Sequence, residues 1–457
     1  MPMNPETSIV YLLWQLVLLA VLFDMTARRR TPASMIAWFL VIFSIPYAGV
    51  FLYLFLGRRK IPKTPFKADF SRVHRNDAAR LSPIESVLHR HGIPPATDGN
   101  DFTLIVDGTD AYAALRDAIA QSRRSIWLAT YIFEPDEVML PLMELLAAKA
   151  RDGVDVRLLI DAVGSFGLYV RPSRLDALKA AGVSIAFFMP LRPFLRNTHF
   201  NLRLHRKIYL FDGTVAFSGG MNLSRDYFGP DANPKRWNDL LFRIEGPATD
   251  YYRSVFISDW NFSSSDLLDV PPAQAPAAGG ERLQVVPSGP DIASDALYDA
   301  LLNAVFNARK RIWIVTPYFI PDEATMHALR IAHTKGVDIK IITPKTPDHH
   351  IFEIARSSYM REISDWGGDI AVYDRTMLHA KAILIDDDHV VAGTLNFDQR
   401  SLFLNYEIVC IGHGGAMFTA VEQWMNGLLE TCPHGLAPAG PLRRILENLG
   451  RIVAPQL

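Results

Sequence analysis

The sequence predicts an α/β protein made of two duplicated lobes behind an N-terminal transmembrane helical hairpin. Three observations carry that prediction. A strand-helix-strand pattern recurs after a long interval, a His-x-Lys-x4-Asp string recurs with it, and two uncharged apolar runs precede both. At 457 residues the chain exceeds one ordinary hydrophobic core, which favours two folded units.

The hairpin is assigned to residues 1–60. Ser8 to Phe23, SIVYLLWQLVLLAVLF, carries no charge, and only Gln15 is strongly polar. After Asp24 and a basic turn at Arg28, Arg29 and Arg30, Pro32 to Leu56 is again uncharged. A membrane-spanning helix needs about 20 apolar residues. The second run meets that length; the first does so only if Asp24 to Ala27 lie in the headgroup zone. A cleaved signal peptide fits poorly, because an early basic region and a small-residue cleavage site are missing. Trp14, Trp38, Tyr47 and Tyr53 suit the membrane interfaces. Basic residues after the second run (Arg58, Arg59, Lys60, Lys63, Lys67, Arg72) outnumber those in the turn, which places the remaining chain in the cytoplasm.

A connecting segment, 61–100, leads to the first lobe, 101–268. There SIWLATYIFEPDE reads as a buried strand, MLPLMELLAAKARDG as a helix and VDVRLLID as a second strand. RIWIVTPYFIPDE, ATMHALRIAHTKG and VDIKIITP repeat the unit, with Trp127 recurring as Trp313 and Pro135 as Pro321 at one common offset. So long a period means a duplicated domain and not a solenoid. The linker between the copies, 269–292, opens VPPAQAPAAGG. The second lobe, 293–457, ends in a C-terminal helix whose Leu442, Ile445, Leu446, Leu449 and Ile452 fall at helical spacing. That stripe is expected to pack on a lobe, with contact to a membrane as the alternative. FFMPLRPFLRN (Phe187 to Asn197) mixes aromatic residues with Arg192 and Arg196, which suits either contact with an anionic leaflet or an ordinary surface loop.

Composition narrows the chemistry. With 49% hydrophobic and 21% charged residues the chain is globular, and a net charge of −1 gives no support for a nucleic-acid partner. Cys410 and Cys432 are too few for a disulfide framework or a zinc set. Oligomeric state is left open.

The recurring string is LHRKIYLFD in one lobe and LHAKAILID in the other. His205 and His379, Lys207 and Lys381, Asp212 and Asp386, and Asn222 and Asn396 all stand at one shared offset. Read as a strand, each string puts its histidine and lysine on one face, and a turn with a returning strand brings the asparagine near. A protonated lysine cannot bind metal, so a metal site is not expected; His349, His350 and Glu353 read as surface. The trio suits a phosphodiester. Lysine and carboxamide donate to phosphoryl oxygens, one histidine attacks phosphorus, and the other moves the proton of the leaving and entering alcohols. Asp239 and Glu407, each on the strand-like run after its own lobe's asparagine, are the carboxylates expected to orient the histidines and raise their pKa. Asp212 and Asp386 are counted with the catalytic residues as members of the string. Their place at its far end points instead to holding the turn or the lobe interface.

With these residues the chain resembles the phospholipase D superfamily, whose signature is the doubled string, and within it the bacterial cardiolipin synthases. The quoted support spans nearly the whole chain: PASMIAWFLVIFSIPYAGVFLYLFLG, QVVPSGPD, LHAKAILIDDDHVVAGTLNFDQRSLFLNYE and the tail RIVAPQL. The resemblance implies two phospholipase D-like lobes, each with a mixed sheet flanked by helices, in a multi-pass protein of the bacterial inner membrane. It implies transfer of a phosphatidyl group between two phosphatidylglycerol molecules through a phosphoryl-histidine, with release of glycerol and no metal cofactor. His205 or His379 would be the nucleophile, with Lys207, Lys381, Asn222 and Asn396 around the phosphate. A hydrolase of the phospholipase D type, or transfer to another alcohol, is the alternative. Two departures stand out. Gly219-Gly220 replaces Gly393-Thr394, and Asp239 follows its histidine at a longer interval than Glu407 does.

Overall fold

The computed structural model describes residues 5–27, 32–57, 70, 81–191, 201–272, 275–292, 294–348 and 350–453. The chain divides into two compact units, the N-terminal one holding the apolar runs. In that unit a helix spans Pro5–Ala27. The second run, expected as one span, is two helices, Pro32–Ser44 and Pro46–Leu56. The break is chemical: Pro46 has no N–H to continue the ladder, and its ring crowds the preceding turn. Past it, a Cβ on Gly49 would stand 2.7 Å from the Ile42 Cα, so only glycine lets the two helices fold this closely together. Val21 and Met25 of the first helix pack with Ile42, Val50 and Tyr53, and the Tyr53 hydroxyl donates to Asp24 at 2.6 Å. Among the described residues no helix is long and apolar enough to cross a membrane. The basic residues Arg28–Arg30, Arg58–Lys60, Lys63, Lys67 and Arg72 lie outside the described residues.

The second unit is organised by one sheet. The first copy contributes β1 (Thr97–Ile105), β2 (Ser125–Thr130), β3 (Asp155–Asp161), β4 (Ser184–Phe188), β5 (Ile208–Phe211), β6 (Val215–Gly219) and β7 (Leu241–Glu245). The second contributes β8 (Glu281–Ser288), β9 (Arg311–Val315), β10 (Phe319–Ile320), β11 (Asp338–Pro344), β12 (Asp369–Tyr373), β13 (Ala382–Ile385), β14 (His389–Gly393), β15 (Phe397–Asp398) and β16 (Glu407–His413). Fourteen strands run in the order β12-β11-β9-β13-β14-β16-β8-β1-β7-β6-β5-β2-β3-β4, while β10 and β15 pair separately. Read from its two edges the order is the same, copy for copy. The mirror point is the antiparallel β8–β1 contact, where Thr97 faces Leu283 and Asn100 faces Glu281. The seam between lobes is therefore a backbone ladder as well as a packed surface.

One hydrophobic cluster crosses that seam. Tyr252, Val255, Phe256 and Trp260 of the helix Ala248–Ser263 share it with Met417, Val421 and Met425 of the helix Gly415–Thr431. The opposite face of each half is covered by its own helices. Leu115 and Leu142 lie in one cluster, Leu301 and Leu329 in the other. The strand-helix-strand units fall where the sequence places them, with helices at Met139–Arg151 and Glu323–Thr334.

Three expectations change. Within 61–100 a helix, Pro83–Arg90, opens with a reciprocal cap between Ser82 and Glu85 and lays Ile84 and Leu88 into the second lobe's cluster. Within 269–292, Glu281–Ser288 is the innermost strand of the second half, because its alternate residues are needed between β1 and β16. In FFMPLRPFLRN, Phe188 is a core residue on β4 against Tyr406 and Phe262, and 192–197 lies outside the described residues.

Candidate active site

The strings do not fold as strands where the histidines lie. β5 begins at Ile208 and β13 at Ala382, so His205, Lys207, His379 and Lys381 precede them. Each extended segment instead crosses to the other lobe. The His205 N–H donates to the Tyr406 carbonyl at 2.9 Å, and the Tyr406 N–H returns to Arg203 at 2.9 Å. On the other side the His379 N–H donates to the Asn238 carbonyl at 2.7 Å, and the Asn238 N–H to Met377 at 2.8 Å. Each histidine is thus bonded to the residue just before the opposite lobe's carboxylate.

The side chains follow. His205 Nδ1 lies 2.9 Å from both oxygens of Glu407, and His379 Nδ1 lies 2.7 Å from Asp239 Oδ2. Each carboxylate orients the histidine of the other lobe, not of its own, which overturns the pairing suggested by chain order. The crossed ladder is the reason. It also explains the tolerance to unequal spacing within a lobe, since neither carboxylate has to reach back to its own string.

The two clamps differ in detail. Glu407 accepts from Thr394 Oγ1 at 2.6 Å. The matching position in the first lobe is Gly220, where a Cβ would stand 2.1 Å from Asp239 Oδ1. The shorter aspartate needs the backbone to come close, and a side chain there is excluded. Burial alone would raise both carboxyl pKa values; for Asp239 the Lys381 and His379 charges outweigh it, and for Glu407 those of His205 and Lys207 with the Thr394 bond.

The histidines themselves depart from expectation. Both are buried, and burial lowers each to about 4, more than the partner carboxylate raises it. Values near 4 leave both rings neutral at pH 7. Their Nδ1–H donates to carboxylate, which leaves Nε2 as the remaining basic nitrogen. Lys207 is lowered to about 7 and Lys381 to about 8, first by burial; the Lys381 charge lowers Lys207 further. Lys207 Nζ donates to the His205 carbonyl at 2.9 Å, and Lys381 Nζ likewise contacts the His379 carbonyl and stands 3.0 Å from His379 Nε2. Two buried lysines at about 7 and 8 become fully charged when an anion lies beside them, which is what an anion site requires.

Asn222 is largely committed within its lobe: Oδ1 accepts from Ile132 N at 3.2 Å and Nδ2 donates to the Tyr227 hydroxyl at 2.8 Å. Asn396 differs, since its buried Oδ1 has no hydrogen-bond partner among the described residues. Asp212 and Asp386 sit apart from the reacting groups. Each adopts a left-handed backbone (φ 51° and 54°), and each carboxylate accepts from three consecutive backbone N–H groups, of Arg123–Ser125 or Arg309–Arg311. Their geometry is that of a turn lock, so the sequence's inclusion of them with the catalytic residues is corrected. Glu353 is paired with Arg356, and His349 and the His350 side chain lie outside the described residues.

Sequence reasoning missed several groups. Tyr131 packs edge-on against His205, and Tyr227 and Trp237 pack on His379, so the first lobe walls both histidines. Arg206 is wholly buried between the halves; Nε donates to the Glu407 carbonyl at 3.0 Å, and the guanidinium pairs with Asp259 at 2.6 Å and Asp291 at 3.0 Å. Asp161 at the end of β3 takes the Leu204 N–H at 2.8 Å and pairs with Arg203. The available signal was the arginine of LHRKIYLFD, at the position where the second copy has Ala380.

A doubled α/β sheet sharing one site with two clamped histidines and two buried lysines defines the phospholipase D-like class. The family described as "Cardiolipin synthase, PLD-like domain" matches residues 115–260 and 301–429, and that described as "Phospholipase_D-nuclease N-terminal" matches 9–58. A cardiolipin synthase of Geobacillus thermodenitrificans is 31% identical over 95% of this chain and 91% of its own length. Cardiolipin synthase 1 of Bacillus anthracis is 30% identical over 98% of this chain and 94% of its own. A phosphatidylserine synthase crystal structure from Haemophilus influenzae superposes with a TM-score of 0.63 at 14% identity, covering 82% of this chain and all of that one, which speaks for the fold. The chain belongs to the cardiolipin synthase family of phospholipase D-like phosphatidyltransferases.

Proposed function

We propose that this chain joins two phosphatidylglycerol molecules into cardiolipin through a phosphoryl-histidine. The reading is carried by one observation above the others: each histidine is clamped at Nδ1 by the opposite lobe's carboxylate, beside two buried lysines. A phosphodiester bound between the lysines brings negative charge to rings held neutral by burial, which raises the pKa of the histidine that must act as acid. Nε2 of one histidine attacks phosphorus. The glycerol oxygen leaves with the proton of the other histidine, and a phosphatidyl-histidine remains. The second phosphatidylglycerol then gives its hydroxyl proton to that other histidine, its oxygen attacks phosphorus, and the P–N bond breaks to release cardiolipin. Lys207, Lys381 and the amide of Asn396 would hold the phosphoryl oxygens.

Placement at the inner membrane belongs to the same proposal. Its support is the apolar N-terminal unit, whose Leu16, Leu19, Phe23, Phe39, Phe43 and Phe51 face outward, and the basic residues that follow it in sequence. The unit would embed as a hairpin with the lobes on the cytoplasmic side; protease protection in oriented vesicles tests the side.

The reaction is tested by supplying phosphatidylglycerol alone to the reconstituted protein. Cardiolipin with equimolar free glycerol supports it; phosphatidic acid as the main product makes the chain a hydrolase, and a mixed product with an added alcohol makes it a transferase of other specificity. Label retained on histidine after quenching with radiolabelled substrate identifies the nucleophile.

A further inference from the structure

The C-terminal helix, Pro441–Val453, is mounted the wrong way round for an ordinary surface helix. Its polar side faces the protein. Glu447, 3% exposed, accepts from Arg361 at 2.6 Å and Arg443 at 2.8 Å. Asn448 Oδ1 accepts from Ser358 at 2.7 Å, and Arg451 reaches Ser358 and Glu362 on the helix His350–Trp366. Gly450 fixes the rotation independently, since a Cβ there would stand 3.0 Å from the Ala355 Cα. The stripe that the sequence was expected to bury points outward instead. Leu442 is 73% exposed, Ile445 57%, Leu446 51% and Leu449 53%, and Ile354 beside Gly450 extends the patch.

We propose that this face is a second membrane-contact surface, seating the lobes on an anionic bilayer. Four aliphatic side chains at i, i+3, i+4 and i+7, with the exposed Arg443 and Arg444 beside them, match an interfacial helix, whose apolar face sinks into the acyl boundary while cations meet the headgroups. The helix's one acidic residue, Glu447, is buried in internal pairs, while Arg444 is exposed and enters no ion pair among the described residues, so the charge the helix leaves open to solvent is positive. A second copy of the chain fits less well. A 13-residue helix is about 20 Å long and about 10 Å wide, so the stripe offers about 200 Å² against the roughly 800 Å² per partner of a stable interface. The ligand class is drawn from charge and apolarity on the helix, not from turnover.

The test reads no activity, so its outcome is separate from that of the proposed reaction. The full chain carrying Leu446→Cys, with its native Cys410 and Cys432 buried, is labelled with an environment-sensitive fluorophore. It is then reconstituted in phosphatidylcholine vesicles with or without phosphatidylglycerol. A blue shift and quenching by doxyl-labelled lipid, greater with phosphatidylglycerol, supports the surface, and adding Leu449→Glu should reverse the shift. Labelled Ile445→Cys should respond as Leu446→Cys does. A label that stays water-exposed in both vesicles overturns the proposal. So does shielding that appears in detergent and rises with protein concentration, which would assign the face to a second copy.

Discussion

The two lobes keep identical carpentry and unequal chemistry. Trp127 donates to Asp155 and Trp313 to Asp338, each at 2.8 Å, and Asp212 and Asp386 lock equivalent turns. Thr130 and Thr316 each donate to a carbonyl two residues on, at 3.0 Å. At the site the copies part. Arg206 faces Ala380 in the pairing of strings, Gly220 faces Thr394, Asp239 faces Glu407, and a committed Asn222 faces an open Asn396. Groups that hold a half together are needed in both halves. Groups that meet across the seam need only fit each other, so a loss on one side is made good from the other.

The largest effect should come from the one pair that chemistry requires on both sides. His205→Ala and His379→Ala should each reduce turnover by at least on the order of 10²–10⁴-fold in a radiolabelled cardiolipin assay, and substantial turnover in either would mean that a lobe acts alone. Arg206→Ala copies the second lobe's residue into the first. It leaves Asp259 and Asp291 buried without their cation, and about 3–5 kcal/mol of stability should be lost in a denaturant midpoint.

The clamp asymmetry is sharper still. Gly220→Ala should destabilise by about 1–3 kcal/mol through overpacking on Asp239, while Thr394→Val should cost about 1.5–3 kcal/mol through the bond lost to Glu407. Crossing is read directly by diethylpyrocarbonate labelling with mass spectrometry. Glu407→Gln should change the labelling rate of His205 and leave His379 near its own rate, and Asp239→Asn should do the reverse. Effects confined to each lobe's own histidine would refute the exchange.

Acid should act on both halves alike. Burial depresses both histidines from the unfolded value of 6.5 to about 4, so the unfolded chain binds more protons between those values. The stability that depends on neutral rings is whole above about pH 6.5 and is lost as pH falls toward 4. Thermal unfolding followed across that window should show the loss, and His205→Gln should shrink it. The smallest difference is expected at the turns: Asp212→Asn and Asp386→Asn should each cost about 1 kcal/mol in stability, equally, with kcat unchanged.

Much of this was legible in the chain itself, for reasons that are local. Period and polarity alone set the strand-helix-strand units, because each unit's buried face is written in neighbouring residues. The doubled string marked His205, Lys207, His379 and Lys381 because one offset governed them all. Pro46 announced a break inside the second apolar run that the count of apolar residues passed over. The Glu281–Ser288 strand was hidden behind the proline- and alanine-rich start of its segment.

Which carboxylate meets which histidine was decided only when the chain closed on itself. Chain order puts Asp239 with His205; the ladder between Leu204 and Tyr406, and that between Asn238 and Leu378, exchange the partners. The depth of burial that leaves both rings neutral was equally invisible, since desolvation is a property of everything packed around a group and not of its neighbours in sequence. The residues that could do the chemistry are named in the sequence. Their pairing and their protonation belong to the tertiary structure, because both depend on contacts between segments far apart along the chain.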